Sequence, residues 1–370
     1  MAGKYWRSVT VGFFVLALGV GFFREGKGGL PPRPAAPTPV VVPYYAPPTA
    51  MDLCGEPAPL NLQDARERFD REFTIVVYSH AQVYLWLKRM ERYFPWLEKK
   101  LAAEHLPDDL KYVAVAESDL MVSAASPAGA AGPWQFIRST GGNYGLAQSA
   151  DVDERLDFEM ATASAFKYLR DLRGLFDNWT LAIAAYNCGE KRVRDEMTRQ
   201  KRSDYYSLKL PQETERYIFR ILAIKEVLGN PERYGYLLPK GAGYPPVRTD
   251  SVNVNLPFPV PVQSIAEAAG MSYRELKNLN PCLVSWNLPA GARILKVPEG
   301  KGKDCVSSLE TIREECRPKV HHHKVGKGET LSGIAVRYHV SEEQLRAWNK
   351  IQGSKVRIGQ SLKIVTTAEK

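Results

Sequence analysis

From Asn61 to about Leu238, apolar residues return at three- and four-residue steps, beginning with Phe69, Phe73, Val76, Val77, Val83 and Leu87. That period puts them on one face of successive helices. Further helices are predicted over 109–118, 153–176, 179–197 and 213–228, and strand-like alternation is nearly absent. Gly and Pro cluster between 126 and 145, which predicts a loop interrupting the helices. The pattern differs on both sides of this block. Ahead of it, Lys4 and Arg7 precede an apolar run from Val9 to Phe23, closed by Arg24 and Lys27. Positive residues before an apolar stretch read as a secretory signal or an N-terminal anchor. The run spans about 22 Å at ~1.5 Å per residue, and Tyr5 and Trp6 extend it as interfacial residues. No small-residue cleavage site follows Phe23, so an uncleaved membrane anchor over residues 5–23 is preferred, with secretion after cleavage as the alternative. Residues 29–60 are rich in proline and read as a semi-rigid spacer.

After the block, residues 241–250 carry Gly241, Gly243, Pro245 and Pro246 and are expected to be a flexible boundary. Residues 323–366 predict a strand, two helices and a closing strand. Thr330 caps the first helix and Ser341 the second. Residues 251–298 repeat that order more weakly. Between the two, 299–322 read as a charged linker, and His321, His322 and His323 as linker histidines rather than a metal site. The expected organisation is therefore 1–28 signal or anchor, 29–60 linker, 61–240 helical domain, 251–298 and 323–366 small βααβ modules.

Composition narrows the picture. The chain has 370 residues, 44% of them hydrophobic and 25% charged, which excludes wholesale disorder. Its net charge of +9 suits any anionic polymer or surface. No phosphate loop, zinc-finger spacing or RNA-recognition signature is present, so nucleic acid is not an expected partner. Five cysteines, Cys54, Cys188, Cys282, Cys305 and Cys316, leave at least one unpaired. Cys54–Cys188 and a pair among the last three are the pairings considered, with Cys188 as an inert core thiol the alternative.

The candidate chemistry centres on Glu117. Leu106, Leu110, Val113 and Glu117 fall on one stripe, at steps of four, three and four. A carboxyl on a face that the helix buries has its pKa raised, as a general acid near neutral pH requires. The competing reading is a charged helix end turned to solvent. The loop from Ser126 to Phe136 changes the balance. Gly129 and Gly132 permit tight turns, Gln135 carries a donor and an acceptor, and Trp134 and Phe136 offer surfaces on which sugar rings stack. No convincing second carboxylate appears: Asp119 is on another helix face, and Asp151, Asp153 and Glu154 read as helix-start acids.

Glu117-Ser118, Ser126-Pro127, Gly129, Gly132 and Gln135 resemble the signature of the soluble lytic transglycosylase domain, glycoside hydrolase family 23. Ala185-Tyr186-Asn187 and Glu213-Thr214 with Tyr217 match two further motifs of that family, and the Trp134-Gln135-Phe136 variant resembles its membrane-bound D-type group. The resemblance covers about 60–240. It implies a mainly α, lysozyme-like catalytic domain that acts on peptidoglycan. Glu117 would be the sole acid and base: it protonates the glycosidic oxygen, then deprotonates the 6-hydroxyl of N-acetylmuramic acid, giving a 1,6-anhydro end. The substrate's acetamido group would then supply the nucleophile, an exception to the two-carboxylate rule. Ser118, Ser126, Gln135, Tyr186, Asn187, Glu213 and Tyr217 would hold the sugar or border its cleft. Residues 323–366 resemble a LysM module, a glycan binder, with Gly328, Thr330, Leu331 and Ile351 at its groove. The 251–298 segment resembles a degenerate copy. No metal or organic cofactor is implied. The expected partners are peptidoglycan glycan strands and, through the N-terminus, a membrane; the expected place is the periplasmic side of a bacterial envelope. Rival readings are a hydrolytic muramidase and a non-catalytic wall-binding protein.

Overall fold

A computed structural model describes residues 42–366, and from Tyr45 onward they form one compact unit. The apolar run at 5–23 and the first part of the proline-rich stretch, 29–41, lie outside the described residues. Among the described residues no helix is long and apolar enough to cross a membrane.

The chain is mainly α-helical. A hairpin of β1 (Met51–Leu53) and β2 (Glu56–Ala58) leads into α1 (Gln63–Val77), α2 (His80–Ala103), α3 (Lys111–Ser118), α4 (Arg138–Asn143), α5 (Phe158–Phe176), α6 (Trp179–Cys188), α7 (Glu190–Gln200) and α8 (Gln212–Gly229). The predicted apolar stripes meet in one core, where Phe69, Phe73, Val77, Val83, Leu97, Phe166 and Phe219 are buried. α8 is buried along most of its length, and α1, α3 and α6 pack against it. The stretch read as one helix over 179–197 breaks at Gly189, whose φ of +89° no helix allows.

Two of the segments expected to be linkers pack against the helical block. Residues 51–60 belong to the helical block. Leu53 and Leu60 sit in its core, and the Glu56 carboxylate accepts from the Trp179 and Thr180 amides (2.6 and 2.9 Å), which caps α6. The boundary at 241–250 lies along α2. The Tyr244 amide donates to the Lys88 carbonyl (2.8 Å), Arg92 donates to the Pro245 carbonyl (3.1 Å), and the Arg92 guanidinium stands over the Tyr244 ring.

The next unit contains β3 (Thr249–Leu256), β4 (Val260–Pro261), α9 (Val262–Ala268), α10 (Tyr273–Leu279), β5 (Asn287–Leu288), β6 (Gly291–Pro298) and α11 (Gly302–Glu315). β3 pairs antiparallel with β6 from Thr249↔Pro298 to Leu256↔Gly291, and β4 pairs with β5. The segment read as a charged linker is α11. Its Cys305, Leu309 and Ile312, with Cys316 just past its end, recur at steps of four, three and four and are buried against this unit. The last unit contains β7 (Lys319–Lys324), α12 (Leu331–Arg337), α13 (Glu342–Asn349) and β8 (Ser361–Thr366), with β7 antiparallel to β8. The three histidines therefore stand on a strand, not in a linker. His323 contacts Glu329 (2.7 Å) and Tyr338 (3.2 Å), and His321 contacts Thr366 (3.0 Å). Neither disulfide considered forms: all five cysteines are free, and Cys305 and Cys316 are buried core thiols.

Candidate active site

α3 begins at Lys111, after a short 3-10 turn at Asp108–Leu110, so Leu106 stands outside it. The stripe nevertheless points where the sequence placed it. Val113, one turn before Glu117, is fully buried, and Glu117 closes the helix at the wall of a cleft of about 1160 Å³. The helix stops at once, because Asp119 and Leu120 take left-handed backbone angles (φ 58° and 59°). Trp86 Nε1 donates to Asp119 Oδ1 (2.8 Å) and Arg89 donates to the Asp119 carbonyl (3.0 Å), which ties this end of α3 to α2.

Glu117 is packed closely but keeps part of its surface open to the cleft. Tyr217, from α8, donates its hydroxyl to Glu117 Oε1. Among the described residues Oε2 has no protein partner. Burial pushes the Glu117 carboxyl up from 4.5 to about 7; the Tyr217 hydrogen bond opposes that rise, Glu213 adds to it, and Arg220 opposes it. Arg220 is itself held against Glu72, a nearly fully buried carboxylate that also takes Arg216 Nε at 2.7 Å. Burial raises the Tyr217 and Tyr186 phenols as well, so both stay protonated donors.

Most of the residues singled out from the sequence meet at this cleft. Ser126, Gln135, Tyr186, Asn187, Glu213 and Tyr217 line it with Glu117. The Tyr186 hydroxyl donates to the Trp134 carbonyl (2.7 Å), and Asn187 Oδ1 accepts from Thr214 (2.7 Å), which leaves the Asn187 amide nitrogen for the cleft. Gln135 Nε2 donates to the Gly132 and Ala124 carbonyls (2.8 and 3.2 Å), leaving Oε1 free of protein partners among the described residues.

Three residues turned inward. Ser118 is buried, and its hydroxyl donates to the Pro133 carbonyl (2.8 Å), so it pins the loop to α3 instead of reaching the cleft. Trp134 is wholly buried with Nε1 on Thr162 (2.8 Å), so it is core and not a stacking surface. Leu331, expected at the LysM groove, is 1% exposed in that unit's own core, because it is the first apolar position of α12. Gly328 and Thr330 are exposed and Ile351 is half-buried; the Thr330 side chain caps α12 through the Gly333 amide (3.1 Å).

Sequence reasoning missed Arg220 and Arg155. Arg220 had a legible signal, since Glu213, Tyr217 and Arg220 follow steps of four and three on one helix face. Arg155 donates through Nη1 to the Gly129 and Phe136 carbonyls (2.8 and 2.9 Å) on the two arms of the cleft loop. It was hidden among residues read as a helix start. Among the described residues no group of three or more His, Cys, Asp or Glu could hold a metal ion.

Residues 94–209 match the family model of the transglycosylase SLT domain, and residues 323–365 that of the LysM domain. The chain is 36% identical over 296 residues to membrane-bound lytic murein transglycosylase D of Escherichia coli (strain K12), across 75% of this chain and 64% of that protein. It is 34% identical over 143 residues to peptidoglycan transglycosylase gp16 of Escherichia phage T7, across 37% of this chain and 11% of that one. The chain thus spans 64% of the length of the first of these relatives. Among solved structures it is similar to the 70 kDa soluble lytic transglycosylase of Escherichia coli, with 20% identity over 49% of this chain and 32% of that chain and a TM-score of 0.34. By its sequence matches, the chain carries a transglycosylase SLT domain followed by a LysM domain.

Proposed function

We propose that this chain is a peptidoglycan lytic transglycosylase in which Glu117 is the sole acid and base. The observation that carries the reading is a half-buried glutamate in the cleft wall with Tyr217 on one carboxylate oxygen; burial there pushes its pKa up to about 7. A general acid works best when its pKa lies near the working pH. With Oε1 held by Tyr217, Oε2 is the atom placed to carry the transferable proton.

In the proposed reaction Oε2–H protonates the glycosidic oxygen between N-acetylmuramic acid and N-acetylglucosamine, and the C1–O bond breaks. The muramic acetamido oxygen closes on C1 from the other side. The Glu117 carboxylate then takes the 6-hydroxyl proton, O6 displaces the acetamido oxygen at C1, and a 1,6-anhydro end results. No water is consumed and Glu117 ends protonated. Gln135, Ser126, Tyr186 and Asn187 supply donors and acceptors for the sugar and its acetamido group. Gly328, Thr330 and Ile351 would take an N-acetylglucosamine-containing strand at the LysM groove, without Leu331. The envelope location and the anchor at residues 5–23 follow from the sequence reading above.

One observation favours a hydrolytic muramidase: Glu213 also lines the cleft and raises the Glu117 pKa, so a second carboxylate is at hand. Mass spectrometry of digested peptidoglycan separates the two. Anhydro-muramic ends are the expected product; mostly reducing ends would assign the hydrolase. Because one residue serves both steps, Glu117→Gln should lose rate at the upper end of the ~10²–10⁴ typical of acid–base catalysis. Retention of more than about a tenth of the activity, far above that range, would rule out Glu117 as the acid.

A further inference from the structure

The unit beginning at Thr249 is docked on the helical block, and its contacts run toward the cleft. Val152 belongs by sequence to the block, yet it is buried in the apolar cluster of the second unit and bridges to Leu283. On either side, the Asp153 amide donates to the Cys282 carbonyl (2.8 Å) and the Val284 amide to the Asp151 carbonyl (2.9 Å). Lys296, on β6, forms ion pairs with Glu159 (3.1 Å) and with Asp157 (3.6 Å), the residue that caps α5. Segment 151–159 is therefore fixed from outside by the second unit.

From the same segment Arg155 reaches inward. It is 6% exposed, and Asp153 grips it through both carboxylate oxygens, at 2.9 Å to Nε and 2.7 Å to Nη2. Its remaining nitrogen, Nη1, is bonded to the Gly129 and Phe136 carbonyls. Its backbone is pressed on the same loop: a Cβ on Gly132 would stand 1.7 Å from the Arg155 carbonyl oxygen. That contact and a φ of +82° both demand glycine there. The two carbonyls held by Nη1 bracket Gln135, and Gly129 lies three residues after Ser126. A planar guanidinium with fixed donor directions suits this three-way grip, whereas an ammonium on a flexible stem would make only part of it.

We propose that Arg155 is a positioning residue for the cleft loop, and that the 249–298 unit acts as the brace that seats it. On this view the weakly LysM-like unit supports the reaction through Asp153 and Arg155. Its part in the reaction rests on the activity proposed above; the brace itself does not.

Two readouts separate those claims. The first is hydrogen exchange at the amides of residues 124–136 in the full chain, which needs no turnover and can be run in a Glu117→Gln background. The second is kcat and KM on soluble glycan fragments, with the melting temperature measured in parallel. Arg155→Lys should speed exchange across 129–136 and lower kcat about 10- to 100-fold, the cost of an ångström-scale misplacement, with a smaller change in KM. Arg155→Met should lose more, since it keeps no donor. Lys296→Met touches neither loop nor substrate, and should shift both readouts the same way by a smaller amount. Unchanged loop exchange in the Arg155 and Lys296 variants would overturn the brace. Faster exchange with unchanged kcat, or a kcat loss that disappears once the assay is run well below each variant's melting temperature, would overturn the positioning role. A fully active Glu117→Gln would defeat the proposed chemistry while the exchange result still decides the brace.

Discussion

Glu117 is held where its charge is unwelcome, and that has a thermodynamic sign. Below pH 4.5 the carboxyl is protonated in both folded and unfolded chains, so it contributes no pH-dependent difference. Between 4.5 and about 7 the unfolded chain releases the proton while the folded one keeps it, and stability falls as pH rises. Above that window both are ionised and the cost is complete, on the order of 3 kcal/mol at ~1.36 kcal/mol per pH unit. Glu117→Gln has nothing to titrate. Its stability advantage over the native chain should therefore grow from pH 4.5 to 7 and then level off, as read by urea denaturation at several pH values. A difference that stays flat across that range would show that the buried carboxyl is not strained. The sequence already contained the main part of this, because the spacing of Val113 and Glu117 put an acid on an apolar stripe. The family motif placed Tyr217 at the cleft but not on Glu117: the two are a hundred positions apart, and only the packing of α3 on α8 joins them.

Helix ends decide what the cleft can hold. α3 has eight residues and stops directly after Glu117-Ser118 through two consecutive left-handed residues, a conformation costing roughly 1–2 kcal/mol for a side chain with a Cβ. What offsets it is the Asp119 carboxylate on the buried Trp86 nitrogen. Asp119→Ala should destabilise the chain by about 2–3 kcal/mol, from an orphaned indole donor plus an unsupported left-handed residue. Asp119→Asn keeps an acceptor and tolerates that backbone, so it should cost less than about 1 kcal/mol. Equal denaturation midpoints for the two variants would mean that the Trp86 bond does not hold the helix end. Among the elements, α11 shows how a legible signal was outvoted. Cys305, Leu309, Ile312 and Cys316 recur at helical steps, but the lysines, arginines and glutamates around them read as a solvated linker. Charge on the outer face of a helix is what amphipathicity requires, so period should have outweighed composition. Ser118 and Leu331 failed for the opposite reason: motif membership placed them at a ligand, while burial placed them in the packing.

At the level of the chain, three apolar clusters follow one another, and their couplings differ. The first two share the Val152–Leu283 bridge and the Lys296 ion pairs; the third, built from Val325, Leu331, Ile334, Leu345, Leu362 and Ile364, has its own closed core. Sequence order made the modules legible, but the docking of the second on the first joins residues far apart with no local pattern to announce it. That asymmetry sets where the chain can be cut. A chain ending after α11, near residue 318, should keep near-native kcat on short soluble glycans, because the loop, Arg155 and their brace are intact. It should bind insoluble peptidoglycan less well, since tethering a second weak site raises the effective concentration at the first without new contacts. A chain ending at residue 240 removes the partner of Val152 and leaves Lys296's two carboxylates unpaired, so it should lose kcat on the same soluble fragments. Co-sedimentation with insoluble wall and turnover on soluble glycan, measured on both truncations and the full chain, give six numbers. Equal sedimentation of the 318 truncation and the full chain would remove glycan targeting from the LysM unit. Equal turnover of the two truncations would show that the middle unit contributes nothing to the cleft. The arrangement argues for the other outcome, because the strand-like contact at 151–153 and the guanidinium at Arg155 connect the second core to the cleft through one short segment, and the loop that carries Ser126 and Gln135 rests on its inner side.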